Sequence, residues 1–270
     1  MREVTDSSPI PKKRLGIIRD EHLTLASLLL AGLAVRLWLV PKGAYLPDAV
    51  QFKIWGEQLA STSLASFYRM ADPPTDYLPG YLYLLAATEH LRAQIDGPIS
   101  MLGAYIPWLK AAPIVADMVV GAGVYLLGRR FASSRRSLVA TALVIFNPGV
   151  IFVSAVWGQV DSVGFAPAML SLVALVNGNP IPAAILGGVA FVVKPQYSLF
   201  LAVAGISYLR AESLRLPPLN TLDAKGVWGR WVLWRLALPI VALVATLQLL
   251  LLPLSVSLWP GPNVAWTLRS

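Results

Sequence analysis

Long apolar stretches alternate with short polar segments along most of the chain. A transmembrane helix needs about 20 mostly apolar residues, and this pattern predicts about seven such helices. The predicted spans are 22–40, 108–128, 137–156, 162–177, 181–193, 196–209 and 232–253. The fifth and sixth are short, with Lys194, Pro195 and Gln196 between them. Because proline has no backbone N–H, we expect the helix to break here, so that the two segments form an interrupted pair.

A further helix is predicted before the second span, in the segment 78–94. Its apolar part is roughly nine residues long, which is too short to cross a bilayer, and Glu89, His90 and Arg92 follow it. This pattern predicts an amphipathic helix that lies on the outer membrane surface. The fold class that follows is all-α, a polytopic transmembrane helical bundle with external juxtamembrane helices in its first loop.

The basic residues indicate the orientation, since loops on the cytosolic side of a membrane are rich in Lys and Arg. With the N-terminus inside, the predicted cytosolic segments hold most of the basic residues, whereas the basic run at 129–136 would lie outside if 78–94 crossed. The expected divisions are a cytosolic tail (1–21), a transmembrane module (22–257) with its first external loop (41–107), and an external C-terminal segment (258–270).

The composition agrees with a membrane protein. Hydrophobic residues make up 56% of the 270 residues and charged residues 13%, with a mean hydropathy of +0.64, whereas soluble domains carry about 25% charged residues. The net charge is +8, but the basic residues stand in short runs between apolar segments, which argues against a nucleic-acid partner. The absence of cysteine excludes disulfides and Cys-ligated metals, and two histidines are too few for a His-based metal centre.

Asp48 is the leading candidate for catalysis, because it lies shortly after the first span in a loop rich in acidic and aromatic residues. A carboxylate at the membrane surface can remove a proton from an acceptor hydroxyl. The alternative is a helix N-cap, a role that Asp prefers and that is compatible with catalysis. The later turn from Asp76 and Tyr77 to Pro79 is either a rigid wall that positions a sugar or lipid near Asp48, or simply a helix entrance.

Trp157, Gln159 and Asp161 lie at the boundary between the third and fourth spans. Gln and Asp can hydrogen-bond sugar hydroxyls, and Trp offers a face for stacking. The alternative is an ordinary interfacial hairpin with a belt tryptophan, in which Asp161 caps the following helix.

Ionisable residues within or beside apolar spans usually face a cavity or a partner. Lys194 has three possible roles: binding a lipid phosphate, pairing with Asp161, or snorkelling to the interface. Arg36 either faces the lipid phosphate or anchors the first helix. Asp117, two turns after Lys110 on the second span, is interpreted as a structural partner in an interhelix hydrogen bond or ion pair.

Several short motifs follow one another in a characteristic order. They are Asp48, Trp55 and Asp76-Tyr77-Leu78-Pro79, then Leu109-Lys110, Asp117, Tyr125 and Arg129-Arg130, then Asn147-Pro148, Trp157-Gly158-Gln159 with Asp161, and Lys194-Pro195-Gln196. In this order they resemble the GT-C superfamily of polytopic glycosyltransferases, which use polyprenyl-phosphate sugars. The nearest likeness is to bacterial and archaeal relatives of the second mannosyltransferase of GPI-anchor assembly. The dolichyl-phosphate-glucose-dependent glucosyltransferases are more distant.

The resemblance implies an inverting transferase that moves a hexose, mannose by the nearest likeness, from a polyprenyl-phosphate donor to a lipid-linked or protein acceptor. Asp48 is then the general base. The residues implied to line the donor and acceptor site are Trp55, Asp76, Tyr77, Trp157, Gln159, Asp161, Lys194 and Gln196. Arg36 and Lys194 are the candidates for binding phosphate. No cofactor is expected and the need for a divalent metal stays open; the expected partners are membrane lipid, the sugar donor and a glycan or glycolipid acceptor.

Two departures from the family pattern leave alternatives open. Leu78 stands where the pattern has its first proline, and these enzymes usually continue into several more spans. A short family member, a fragment, or a non-catalytic subunit of a split glycosyltransferase that needs a second membrane subunit would each fit. A transporter or lipid flippase is the other alternative, with Lys194, Asp161 and the broken helix as its substrate path, although the sequence contains no internal repeat of the kind typical of transporters.

Overall fold

Helices form the described structure, as the sequence predicts. The computed structural model describes residues 12–71, 75, 77–97, 101–213 and 233–252, and none of these residues is in a strand. The first helices are α1 (Lys12–Leu39), a 3-10 turn (Val40–Lys42), α2 (Leu46–Ser61), α3 (Leu64–Met70), α4 (Pro79–Asp96) and α5 (Leu102–Phe131). They are followed by α6 (Ser134–Ile145), α7 (Pro148–Ile151), a π-helical turn (Phe152–Trp157), α8 (Asp161–Val176), α9 (Pro180–Val193), α10 (Tyr197–Ser213), a second π-helical turn (Leu233–Ala237) and α11 (Leu238–Leu251).

Three helical segments in the described part of the chain are long and apolar enough to cross a membrane: Asp20–Lys42, Leu102–Phe131 and Trp234–Leu251. Ser134–Ile145 and Pro148–Trp157, which are bent by 47° relative to each other, make a fourth if they count as one span. Helices α8 and α9 are apolar but shorter. Each predicted span therefore contains helix, whereas a bundle of seven spans is not confirmed.

The third predicted span, 137–156, is not continuous. It bends at Asn147 and Pro148, where α6 has ended and α7 begins. The Asn147 side-chain oxygen caps α7 by accepting hydrogen bonds from the backbone N–H groups of Gly149 (2.9 Å) and Val150 (3.3 Å). A side-chain cap of this kind satisfies amide groups that have no partner within the helix, and it stabilises the bend.

The predicted break between α9 and α10 is confirmed, because α9 ends at Val193 and α10 begins at Tyr197, on either side of Pro195. The predicted helix in the first loop is also present, as α4. At its start, Gly80 allows α4 to approach α9 closely: a Cβ atom at Gly80 would lie 2.7 Å from the backbone of Val192.

An aromatic core joins α2, α3, α4 and the beginning of α5. On α2 the buried residues Ala49, Phe52, Gly56 and Leu59 recur at intervals of three and four, which places them on one face of the helix. The large aromatic residues of this core are Phe52, Trp55, Phe67, Tyr81 and Tyr105. One face of α4 therefore packs against protein, and the helices of the first loop form a compact platform beside α5.

Candidate functional site

Asp48 lies in the first turn of α2 and is partly buried. The N-cap of α2 is Tyr45, whose backbone N–H donates to the carbonyl of Trp157 at 3.3 Å. The alternative interpretation of Asp48 as the N-cap is therefore wrong. The hydrogen bond from Tyr45 brings the start of α2 against the turn that precedes α8, and this contact positions the carboxylate.

The Asp48 carboxylate is held through one of its two oxygens. Its Oδ2 accepts a hydrogen bond from Trp157 Nε1 at 2.9 Å and a second from Gln159 Nε2 at 2.8 Å. Its Oδ1 accepts no hydrogen bond from the residues that the structure describes. The side chain is thus oriented by two donors through one oxygen, and no donor in the described part of the chain occupies the other.

The turn that carries these two donors has a specific backbone. Gly158 adopts a left-handed conformation, with φ of 89°, which residues with a Cβ rarely adopt. The N–H groups of Gly158 and Gln159 both donate to the carbonyl of Val153, at 3.0 and 2.9 Å. The Trp157 ring packs against Tyr45, with 5.2 Å between ring centroids. The Trp157 and Gln159 side chains both point at Asp48 because this turn is closed by backbone hydrogen bonds.

Lys110 contacts the segment between α1 and α2, which leads to Asp48. Its ammonium group is fully buried and donates to the carbonyls of Val40, at 2.8 Å, and Gly43. These carbonyls follow the C-terminal end of α1, where the helix dipole favours a cation. Only about 10 Å³ of space remains between Lys110, Ala49 and Trp157, so the chain is closely packed on this side of the turn. The sequence shows that Lys110 is a charged residue in an apolar span, but it does not predict which groups Lys110 binds.

Arg36 and Asp117 form a buried ion pair between α1 and α5, with Arg36 Nε 2.7 Å from Asp117 Oδ2. The other carboxylate oxygen accepts from the hydroxyl of Ser162 on α8. The prediction that Asp117 is an interhelix partner is confirmed. The hypothesis that Arg36 faces a lipid phosphate is not supported, because its side chain is fully buried and also donates to the carbonyl of Ile145 at 3.0 Å.

Asp161 and Lys194 form an ion pair that links α8 with the break after α9. This is one of the three roles considered for Lys194, and it is confirmed. The Tyr197 hydroxyl also donates to the backbone carbonyl of Asp161, at 2.8 Å. The idea that Asp161 caps α8 is wrong, since the N-cap residue is Val160 and its side chain makes no capping bond. Gln196, another predicted site residue, is exposed within the break.

Trp55 is not at an open surface. It is 1% exposed and packs edge-on against Phe67 and Tyr77, with ring centroids 6.4 and 5.9 Å apart. Its expected contact with substrate is therefore corrected to a role in the aromatic core, because the buried face of α2 includes position 55.

Tyr77 is half-buried, and its carbonyl accepts from the Tyr68 hydroxyl at 2.6 Å. Burial, with a smaller contribution from a neighbouring tyrosine, raises the pKa of Tyr68. Asp76 lies outside the described residues.

A larger cavity, of about 390 Å³, is lined in part by Val153, Asp161 and Ser162, on either side of the turn that holds Asp48. Asp117, Asp161, Ser162, Asn147 and Tyr197 provide its polar wall, and Phe165 with several valines provides its apolar wall. Asp161 and Ser162 directly follow the turn whose side chains bind Asp48. The segment 157–162 therefore contributes to two sites at once. The sequence highlights most of the polar residues of this wall but not the space between them.

Metal ligands are sparse in the described part of the chain, where no three side chains of His, Cys, Asp or Glu lie close enough together to hold a metal ion. Comparison of the chain with protein-family models, with curated proteins and with solved structures finds no match. The site must therefore be interpreted from its own geometry.

Proposed function

We propose that this chain is a membrane glycosyltransferase that moves a hexose from a polyprenyl-phosphate donor to an alcohol acceptor, with inversion at the sugar carbon and with Asp48 as the general base. One observation carries the proposal: Asp48 is oriented through Oδ2 by Trp157 and Gln159, while its Oδ1 accepts no hydrogen bond from any described residue. A base in catalysis must be held in place and yet have an oxygen available for the substrate.

The reaction balances with this one carboxylate. The acceptor O–H gives its proton to Asp48 Oδ1, and the acceptor oxygen forms a bond to the anomeric carbon. The bond between that carbon and the phosphate oxygen breaks, and the polyprenyl phosphate leaves with the electron pair. A phosphate leaving group needs charge stabilisation more than a general acid. Inversion follows because the acceptor attacks the face opposite the departing phosphate.

Of the two candidate phosphate ligands, Lys194 remains. Arg36 is buried against Asp117, whereas Lys194 is 20% exposed and paired with Asp161, whose side chain is 42% exposed. This pair is partly exposed, and ion pairs that are exposed to solvent contribute little, about 0–1 kcal/mol. The Lys194 ammonium can therefore exchange its carboxylate partner for a lipid phosphate at little cost.

The decisive experiment uses the variant Asp48→Asn. Membranes that contain the chain are offered radiolabelled polyprenyl-phosphate mannose and glucose, and transfer to endogenous lipid and protein acceptors is measured. Asn keeps the size of the side chain and an oxygen that can accept from Trp157, but it is not a base. We expect a loss of at least about 100-fold in transfer. Wild-type transfer rates in this variant would exclude Asp48 as the base.

Asp96→Asn is the matched control. Asp96 also accepts a hydrogen bond from an indole N–H, that of Trp108 at 2.7 Å, but it lies at the end of α4. Both substitutions therefore neutralise a carboxylate that accepts from an indole N–H, and only the change at Asp48 should reduce transfer. Equal losses in both variants would indicate a structural effect.

Transport remains the second candidate function, because the 390 Å³ cavity lies beside the broken helix pair α9 and α10 and includes Asp161 in its wall. Broken helices next to a polar cavity are typical of transporter binding sites. Movement of a polyprenyl-linked sugar across the membrane of vesicles that contain the purified chain, without transfer of the sugar, would favour this function.

If activity appears only when a second membrane chain co-purifies, the chain is a subunit of a split enzyme.

A further inference from the structure

The 390 Å³ cavity is a defined space that the proposed catalytic step at Asp48 does not use. It lies between α5, the bend at Asn147, the beginning of α8 and the beginning of α10. Asn147 and Gly149 at its edge are exposed, so the described residues do not close the space on this side. Its volume is within the range of about 300–1,000 Å³ that is usual for small-molecule sites.

The walls of the cavity carry no net charge. Its two carboxylates are each neutralised by a base of their own: Asp117 by Arg36, and Asp161 by Lys194. An inorganic cation would have to displace Arg36 or Lys194 from its carboxylate, and neither of these two bases lines the cavity, where a free phosphate would need one. The Arg36–Asp117 pair is fully buried, and breaking such a pair costs several kcal/mol. A neutral ligand meets no such competition.

The polar groups of the wall are mainly hydrogen-bond acceptors. A carboxylate has about four lone-pair positions, and its ion-pair partner occupies only part of them. The Ser162 hydroxyl donates to Asp117 and keeps its own lone pairs for another donor. Several carboxylate and hydroxyl oxygens that line one cavity can accept hydrogen bonds from a ligand with several O–H groups.

The remaining wall offers flat and apolar contacts. The rings of Phe165 and Tyr197 lie 5.7 Å apart at 40° and both line the cavity. Val120, Val144 and Val150 form an aliphatic side. A sugar ring has hydroxyls at its edge and C–H groups on its faces, and these match the acceptors and the rings respectively.

We infer that this cavity is a binding site for a neutral, polyhydroxylated molecule of the size of a monosaccharide, separate from the Asp48 cluster and connected to it by the segment 157–162. The choice of a sugar among polyhydroxylated ligands rests on the proposed function. Trp157 and Gln159 at one end of this segment hold Asp48, and Asp161 and Ser162 at the other end line the cavity. A sugar in the cavity would therefore contact the same segment that orients the base.

The test measures binding of methyl α-mannopyranoside and methyl α-glucopyranoside to the full chain in phospholipid nanodiscs prepared without glycoside detergents. Saturable binding of at least one glycoside is expected. Val150→Trp, which fills the cavity, should weaken that binding more than tenfold. Ser162→Ala, which removes one polar contact, should weaken it about 2- to 10-fold.

Two control variants match these changes. Val139→Trp introduces the same side chain at an exposed position on α6, where it does not line the cavity. Ser171→Ala removes a buried hydroxyl of α8 that donates to the carbonyl of Ala183 instead. Both controls should bind sugar like the wild type. The helical circular dichroism of every variant is checked first.

Several outcomes would overturn the inference: no saturable binding of either glycoside to the wild type, binding that is unchanged in both Val150→Trp and Ser162→Ala, or saturable binding of inorganic phosphate in place of sugar. The proposed function is tested separately by Asp48→Asn, which should retain sugar binding while it loses transfer. If the wild type binds sugar but transfers none, the inference stands and the catalytic proposal fails. Transfer that persists with full binding in both cavity variants removes the inference alone.

Discussion

The buried ion pair between Arg36 and Asp117 should be a major determinant of how α1, α5 and α8 pack together. The variant Arg36→Met keeps a long side chain but replaces its charged end with an apolar one. It removes the 2.7 Å hydrogen bond to the Asp117 carboxylate and the 3.0 Å hydrogen bond to the carbonyl of Ile145. It leaves the Asp117 carboxylate buried, with only the Ser162 hydroxyl as a partner. Breaking a buried pair by removing one member costs about 3–5 kcal/mol, and we expect a loss of this size in the free energy of unfolding.

The double variant Arg36→Met/Asp117→Leu should be less destabilised than the sum of the two single variants. It removes the unpaired charge and leaves only neutral groups without partners, namely the carbonyl of Ile145 and the hydroxyl of Ser162. Each of these costs about 1–3 kcal/mol when it is buried and unsatisfied. With mid-range values of about 4 kcal/mol for each single variant and about 4 kcal/mol for the double variant, the predicted coupling energy between positions 36 and 117 is about 4 kcal/mol.

The assay is equilibrium unfolding of the purified chain in mixed micelles with increasing denaturing detergent, followed by circular dichroism and tryptophan fluorescence. All four members of the double-mutant cycle are measured in the same lipid and at the same ionic strength. A coupling energy near zero, with the two single losses simply adding, would refute the reasoning. It would mean that water or lipid headgroups satisfy each charge independently, and that the two helices are held by apolar packing alone.

Two further predictions concern packing and the proposed site. Gly80→Ala should destabilise the chain, because the added methyl group would overlap the backbone of α9. Gly103→Ala is the control: this glycine is helical, nothing lies within 4 Å of the added atom, and the change should be neutral or stabilising by up to about 1 kcal/mol. Equal effects of the two variants in thermal unfolding would contradict this. Trp157→Phe removes the indole N–H that donates to Asp48 and should lower sugar transfer roughly tenfold with little change in stability, while Trp108→Phe should leave transfer unchanged. Unaltered transfer after Trp157→Phe would mean that this hydrogen bond does not position the base.

The sequence predicts the helical architecture well where the determining interactions are local. A run of apolar residues has to be helical in a membrane, since no water is present to satisfy its backbone groups. Pro195 removes a backbone donor, and the helix breaks there as expected. The bend at Asn147 and Pro148 is a local signal of the same kind, but the uniform hydrophobicity of 137–156 obscures it. Hydropathy measures composition over a window, not the direction of the helix axis.

The candidate site is predicted only in part. The sequence singles out Asp48, Trp157 and Gln159, but not that both donors bind the same carboxylate oxygen, because they lie 109 and 111 residues away along the chain. Trp55 has the same aromatic character as Trp157, yet it is in the core while Trp157 is beside Asp48. The difference is set by which helix face packs inward, and no property of a single residue type decides that.

The sequence by itself determines that the described part of the chain is helical, rich in apolar segments suited to a membrane, and interrupted at specific prolines, because these features follow from backbone hydrogen bonding and from interactions over a few residues. Tertiary structure alone decides that Asp117 pairs with Arg36, 81 residues away, that Lys110 binds the carbonyls at the end of α1, and that a cavity opens between Asp117 and Asp161. These pairings depend on how whole helices pack side by side, and a buried charge is stabilised by whichever partner that packing brings within hydrogen-bonding distance.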